Sequence, residues 1–288
     1  MNRQIMRAVV RSVVRPVLGP KVPVRFQRRL LNAMGRIAIL PPGTRREPAA
    51  LGGRPAEKLS LPGSDEGAAI LYLHGGGYTV GSPVTHRALA AHIAEAAAVP
   101  VYTLDYRLAP EHPFPAALDD ALAAYRELLA SGRRVAVAGD SAGGGLALAL
   151  VRVLLEQRLP APAGLALISP WVDLRLDHVR DDSNDPMLRL SWLKACADRY
   201  AGDLSNPKVS PIQAFLDELP PTLVQASEHE ILRADIERFV TRTDAEYRVL
   251  DGLWHVTHLH AGLVPEATAA TFDIGLFLGQ ILQKAVAQ

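Results

Sequence analysis

The most constraining feature of this chain is a strand that turns abruptly into a helix around a single serine. Val135, Ala136, Val137 and Ala138 form a short apolar run that enters Gly139-Asp140-Ser141-Ala142-Gly143. The chain leaves as a helical pattern of Leu146, Leu148, Leu150, Val151 and Leu154. A helix so close behind a strand must pack back onto the sheet that holds it, which points to a layered α/β fold. Glycines two positions before and after the serine are what such a turn requires, because side chains there would strike neighbouring backbone. The serine hydroxyl is thrust above the sheet, beside the unpaired N–H groups of the new helix. Ser141 is therefore the candidate nucleophile, and Asp140 is expected to orient or brace the loop.

The remaining sequence supports that architecture. Apolar runs predict strands at residues 57–61, 68–73, 99–104, 135–138, 163–168, 222–225 and 247–250. Between them, helical patterns fall at 85–97, 115–131, 142–157, 191–200 and 232–243, with a last one within 262–286. The runs at 68–73 and 163–168 are apolar throughout, as in strands covered by helices on both faces. We therefore expect an α/β fold with a mostly parallel central sheet flanked by helices. The alternation lapses at about 170–220, where one helix sits among Asp, Pro and Leu. That insertion is expected to cap the strand ends and to face the N-terminal helices. A chain of 288 residues, 49% hydrophobic, suffices for one large core. The one cysteine, Cys196, rules out an internal disulfide and is expected to be a buried small hydrophobe.

Charge is concentrated at one end. Residues 1–46 hold eleven Lys or Arg and no Asp or Glu, which leaves 20 basic and 30 acidic groups in the rest. An acidic body argues against nucleic acid as a partner. Arg3, Arg7, Arg11 and Arg15 form one stripe of a predicted helix over residues 3–18, weakened near its end by Pro16. Ile5, Val9, Val13 and Val17 form a second stripe, with Met6, Val10, Val14 and Leu18 beside it. Another helix is predicted over 24–38. We expect residues 1–45 to be cap helices packed on a core of residues 46–288. Weak contact of residues 1–18 with a membrane surface is the rival use of this cationic amphipathic segment. Arginines interrupt every apolar stretch that could serve as a secretory signal, so a cytoplasmic location is expected.

A second glycine-rich turn supplies what a serine nucleophile needs. The strand at 68–73 runs into His74-Gly75-Gly76-Gly77-Tyr78. Successive glycines leave backbone N–H groups free to converge on the negative oxygen of an acyl-transfer intermediate. Gly75 and Gly76, with Ala142 after the serine, are the predicted oxyanion donors. The run lacks the Lys and Ser or Thr of a phosphate-binding loop, and no acidic residue is placed to read a ribose. His74, beneath the glycines, is expected to brace the loop.

Histidine and acid candidates follow from position. On folds with this elbow the partners come after the serine, acid first and histidine last. His255 follows the strand at 247–250 and is the predicted base, with His258 and His260 as alternatives. The spacing His255-x-x-His258-x-His260 lacks the acidic helper of known zinc helices, so no metal is expected. After the strand at 222–225 the candidate acids are Glu230, Glu228 and Asp235, with Glu230 preferred at the loop-to-helix boundary.

Several stretches together resemble the hormone-sensitive-lipase-like (bacterial family IV) carboxylesterases of the α/β-hydrolase fold. They are His74-Gly75-Gly76-Gly77-Tyr78, Asp105-Tyr106-Arg107-Leu108-Ala109-Pro110-Glu111, and Phe114-Pro115-Ala116 with Asp119-Asp120. Gly139-Asp140-Ser141-Ala142-Gly143-Gly144, Ser169-Pro170-Trp171-Val172-Asp173-Leu174 and Trp254-His255-Val256 complete the set, in family order. The resemblance implies a triad of Ser141, His255 and Glu230, an oxyanion hole of Gly75, Gly76 and Ala142, and N-terminal helices in a cap. The family's usual acid is Asp in Asp-x-Leu; Glu230-Ile231-Leu232 stands there, and the stretch from it to His255 looks about five residues short of the family's usual length. Hydrolysis of short- to medium-chain acyl esters is implied, with no cofactor, a small acyl ester as partner, and a monomer or homodimer as the working form. An N-acyl amide hydrolase would use the same residues, whereas a non-catalytic binding relative would normally lack the serine or the histidine. A pair between Arg107 and Glu111 is expected to pin their loop, and Trp171 and Trp254 are expected in cap packing or along the acyl pocket.

Overall fold

A computed structural model describes residues 1–180, 184–213 and 218–284. Parts of the expected cap insertion, at 181–183 and 214–217, and the end of the expected last helix, from 285, lie outside the described residues. Among the described residues, the strands are β1 (Arg45–Leu51), β2 (Arg54–Ser60), β3 (Ala68–Leu73), β4 (Val101–Leu104), β5 (Arg134–Asp140), β6 (Leu165–Ile168), β7 (Thr222–His229) and β8 (Glu246–Trp254). They form one sheet in the order β1-β2-β4-β3-β5-β6-β7-β8. The β1–β2 and β2–β4 pairs are antiparallel and every other pair is parallel.

The helices are α1 (Arg3–Val9), α2 (Arg15–Val17), α3 (Val24–Gly35), α4 (Pro83–Ala97), α5 (Ala116–Ala130), α6 (Ala142–Glu156), α7 (Leu190–Tyr200), α8 (Arg233–Val240) and α9 (Pro265–Lys284). Every residue of β3, β4 and β6 is buried. Apolar side chains cover both faces of the sheet. Leu71, Leu73, Val135 and Val137 belong to one cluster with α5 and α6, while Ile70, Tyr72, Ala136 and Ala138 belong to another with α4 and α9. This is the two-sided burial that continuous apolar strands call for. No helix among the described residues is long and apolar enough to cross a membrane.

The expected strands and helices appear, with one addition. β1 had not been expected, because it carries Arg45, Arg46, Glu47 and Pro48 and is mostly exposed. An edge strand with charge and proline shows no apolar alternation and resists pairing with another chain.

The first helix departs from regular geometry. A π-helical turn, Val10–Val14, separates α1 from α2, and Pro16 falls in α2. Met6, Val10, Val14, Val17 and Leu18 are buried, whereas Ile5, Val9 and Val13 are 57%, 40% and 45% exposed. One apolar stripe packs, and its neighbour stays on the surface except at Val17. The N-terminal helices and the insertion after β6 meet directly. Trp192 Nε1 on α7 donates to Gln27 Oε1 on α3 at 3.0 Å, and Arg7 and Arg15 donate to the carbonyls of Asn184 and Asp185 at 2.9 and 2.8 Å.

Candidate active site

Ser141 stands between β5 and α6 with φ 51° and ψ −120°. This left-handed backbone is costly for a non-glycine residue and is held by its surroundings. The Ser141 N–H donates to the Ile168 carbonyl at 2.9 Å, and its carbonyl accepts from Trp171 N–H at 2.8 Å. A Cβ on Gly143 would lie 1.9 Å from the Leu73 carbonyl oxygen, and one on Gly139 would lie 2.5 Å from that of Gly143. Both glycines are thus required by close backbone approach.

His255 follows β8 and is buried. Its Nε2 lies 3.0 Å from Ser141 Oγ, within proton-transfer reach. Burial lowers its pKa to about 4, with Asp140 acting in the opposite direction. The neutral imidazole is the form that accepts a hydroxyl proton. His255 Nδ1 has no hydrogen-bond partner among the described residues.

Of the three acid candidates, Glu230 is the one linked by hydrogen bonds, through Ser169, to the backbone beside His255. Glu228 is exposed and accepts the Gly252 N–H at 2.6 Å, and Asp235 on α8 pairs with Arg238 at 2.7 Å. Glu230 is buried, and Oε2 accepts from Ser169 Oγ at 2.5 Å and from Ser227 N–H at 2.9 Å. Ser169 Oγ in turn accepts the N–H of Val256, next to His255, at 3.3 Å. Glu230 Oε1, like Nδ1 of His255, has no partner among the described residues. Burial pushes the Glu230 carboxyl up to about 8; the two hydrogen bonds to it and Arg233 oppose the shift, and Asp185 adds to it. Ser169 had not been singled out by the sequence. Its signal was present, since it opens the Ser169-Pro170-Trp171 stretch directly after β6.

The glycine turn requires a correction. The Gly75 N–H, expected as an oxyanion donor, is engaged within the protein, where it donates to Asp140 Oδ1 at 2.9 Å. Asp140 also accepts from the Tyr72 hydroxyl at 2.8 Å and lies 3.3 Å from His86 Nε2. This buried carboxylate gathers its neighbours by hydrogen bonds, and it braces the two glycine-rich turns against each other. Gly76, at φ 119°, and Gly77, at φ 60°, carry the chain past Ser141. The N–H groups of Gly76, Gly77 and Ala142 have no acceptor among the described residues.

Other expected residues also find their places. His74 is buried, stacked on Tyr106 with centroids 4.3 Å apart, and burial lowers its pKa to about 3. His258 is held by Gln225 Oε1 at 2.7 Å, and His260 lines the cavity. Arg107 pairs with Asp120 at 2.7 Å, not with Glu111, which pairs with Arg28 of α3. Cys196 is buried and its thiol is pushed up to about 12. Among the described residues, no group of three or more His, Cys, Asp or Glu is arranged to hold a metal ion.

Ser141 and His255 open into an apolar cavity of about 280 Å³. Its walls include Met6, Val10 and Val14 from the N-terminal helix, Met187 and Leu188 from the insertion, and Trp192 from α7. Trp192 thus takes the place expected of Trp171 or Trp254, neither of which lines the cavity.

A serine on a strand-to-helix elbow, paired with a histidine after the last strand of a mostly parallel sheet, defines a serine hydrolase of the carboxylesterase and lipase type. Residues 70–259 match a family model described as the alpha/beta hydrolase fold. The chain is 38% identical to an acetyl-hydrolase of Streptomyces hygroscopicus, over 87% of this chain and 86% of that one. It is 35% identical to an esterase of Acinetobacter venetianus, over 87% of each. A solved esterase of the bacterial hormone-sensitive lipase family superposes with a TM-score of 0.90 at 37% identity, covering 98% of this chain and 100% of that one. The chain belongs to the bacterial hormone-sensitive-lipase family of α/β-hydrolase esterases.

Proposed function

We propose that the chain hydrolyses short- to medium-chain acyl esters through a Ser141–His255–Glu230 triad. The observation that carries this reading is the 3.0 Å contact between Ser141 Oγ and His255 Nε2 at the floor of an apolar cavity. His255 takes the hydroxyl proton as Ser141 attacks the ester carbonyl. The N–H groups of Gly76, Gly77 and Ala142 stabilise the oxyanion, and each is worth about 3 kcal/mol by analogy with other oxyanion donors. His255 then protonates the departing alcohol, and water activated by the same imidazole releases the acid. Glu230 is the acid of the triad: its open Oε1 and the open Nδ1 of His255 are complementary acceptor and donor.

Residues 1–45 form part of the cap in this reading, because Met6, Val10 and Val14 wall the cavity. About 280 Å³ is at the small end for a ligand pocket. That favours a small acyl group, in line with the acetyl-hydrolase activity by which the Streptomyces relative is named. Rates on p-nitrophenyl acetate, hexanoate and palmitate test the preference. Acetate or hexanoate should be fastest, and palmitate as the best substrate overturns it. Matched acetyl esters and acetyl amides, turned over side by side, separate esterase from amidase.

The exposed Ile5, Val9 and Val13 beside Arg11 support weak contact of residues 1–18 with an anionic lipid surface. Co-sedimentation with anionic vesicles tests this. Binding that is unchanged when all three apolar residues are replaced by serine rules it out.

A further inference from the structure

A second buried carboxylate lies between the cavity wall and the loop that carries Glu230. Asp185, 2% exposed, accepts the N–H groups of Met187 and Leu188 through Oδ1 at 2.7 and 3.0 Å. Through Oδ2 it accepts the N–H of Ile231 at 3.1 Å, across 46 residues of sequence. Its own carbonyl oxygen accepts from Arg15 of the N-terminal helix at 2.8 Å. Met187 and Leu188 line the cavity, and Ile231 directly follows Glu230. One side chain thus joins the cap, the cavity wall and the acid's loop.

The chemistry of that side chain is informative. Two oxygens facing three N–H donors suit a group that only accepts. Asparagine would set its own N–H₂ against at least one of those donors. The local bonds to Met187 and Leu188 form an ordinary turn, but the bond to Ile231 does not, because it reaches another loop. A buried carboxylate without a directly paired cation is costly, and such groups collect where function needs them.

We propose that Asp185 is a positioning residue for Glu230: by holding the Ile231 N–H it fixes the backbone from which the acid is presented to His255. The inference rests on Glu230 being the acid of the triad. Asp185 also places negative charge beside that pair. Around Glu230 stand Ser169, the Ser227 N–H, Arg233 of α8 and Tyr247 of β8. Asp140 and His258 face His255, and Arg15 faces Asp185. The competent form, Glu230 ionised and His255 neutral, carries one more negative charge than the form with a proton added. A fixed negative neighbour therefore raises the pH at which the competent form appears. The pH shift reports the charge of Asp185, and the loss of kcat that depends on Glu230 reports its hold on the Ile231 N–H.

The test is the pH profile of kcat/KM for p-nitrophenyl acetate in Asp185→Asn and Asp185→Ser, each alone and combined with Glu230→Gln. Alone, the Asp185 variants should lower kcat about tenfold and move the acid limb down by roughly half a pH unit or more. In the Glu230→Gln background the same change should cost kcat less than about twofold, because the acid to be positioned is gone. The proposal is overturned by a limb that stays in place, by an equal loss in both backgrounds, or by failure of both Asp185 variants to fold. A Glu230→Gln enzyme with full kcat would instead remove Glu230 as the acid, whatever the Asp185 variants show.

Discussion

Replacing Glu230 by glutamine should cripple the enzyme and stabilise the fold, and the two effects share one cause. The carboxyl is buried, and burial raises its pKa from an ordinary 4.5 to about 8. Between those values the folded protein holds a proton that the unfolded chain has released. Stability from this group is thus full below pH 4.5 and is lost as pH rises through about 8. The whole interval corresponds to an upper bound of ~5 kcal/mol. Relaxation around the charge and a hydrogen bond to His255 reduce this, leaving about 2–3 kcal/mol as the expected gain of Glu230→Gln at pH 9 and almost none at pH 5. The glutamine oxygen can keep the bonds to Ser169 and Ser227, which places the amide N–H₂ toward His255. A donor there makes Nδ1 an acceptor and puts the imidazole proton on Nε2, the wrong tautomer for Ser141. The equivalent tautomer error in a serine protease costs ~10⁴ in kcat. Urea unfolding at the two pH values, followed by tryptophan fluorescence, and kcat on p-nitrophenyl butyrate measure both effects. A variant less stable than wild type at pH 9, or one with more than about a tenth of wild-type kcat, refutes the reasoning.

Other outcomes follow from the same geometry. Ser169→Ala removes the hydroxyl between Glu230 and the Val256 N–H, and kcat should fall about ten- to a hundredfold, measured against unchanged circular dichroism. Val10→Trp, from a fully buried position on the cavity wall, should depress hexanoate turnover at least about fivefold more than acetate turnover, because the added volume takes up cavity space that a longer acyl chain needs. Ionisation of Glu230 near pH 8 should give kcat/KM an acid limb that rises with pH toward that value; a profile already flat at pH 6 contradicts it. Burial lowers His74, His255, His258 and His260 to about 3, 4, 4 and 4, against 6.5 in an unfolded chain, so the stability they confer is lost as pH falls through that range. Glu230 and Asp185, raised to about 8 and 6, act in the opposite sense, and the net slope near pH 5.5 should be about two protons, or ~2.7 kcal/mol per pH unit. Urea midpoints across that range check it, and stability that rises on acidification contradicts it.

What could be read from the sequence was set by how local the cause is. The elbow around Ser141 was legible because backbone collisions at Gly139 and Gly143 leave glycine as the fitting residue. β3 was legible because burial on both faces demands an unbroken apolar run. β1 was not, because an exposed edge strand has no apolar face to betray it. The glycine turn was read in type, but the direction of its first N–H was not. The direction of the Gly75 N–H depends on Asp140, which is 65 residues away in sequence. Arg107 likewise had acidic partners available on both sides, and only the packing of α5 brings Asp120 to it. Ser169 and Asp185 went unnoticed because their roles consist of contacts across 61 and 46 residues. The N-terminal segment was read as amphipathic, but which of two adjacent apolar stripes would pack depended on the π turn at Val10–Val14.

The central claim is that the hydroxyl of Ser141 is made nucleophilic by His255. The most direct measurement is stoichiometric trapping with a fluorophosphonate ester, with the modified peptide located by mass spectrometry and esterase activity followed in the same sample. The account predicts one label per chain on Ser141, loss of activity in proportion to labelling, no label in Ser141→Ala, and labelling slowed at least about a hundredfold in His255→Ala. Activity that survives full labelling of Ser141, or a Ser141→Ala enzyme that still turns over ester at the wild-type rate, contradicts it.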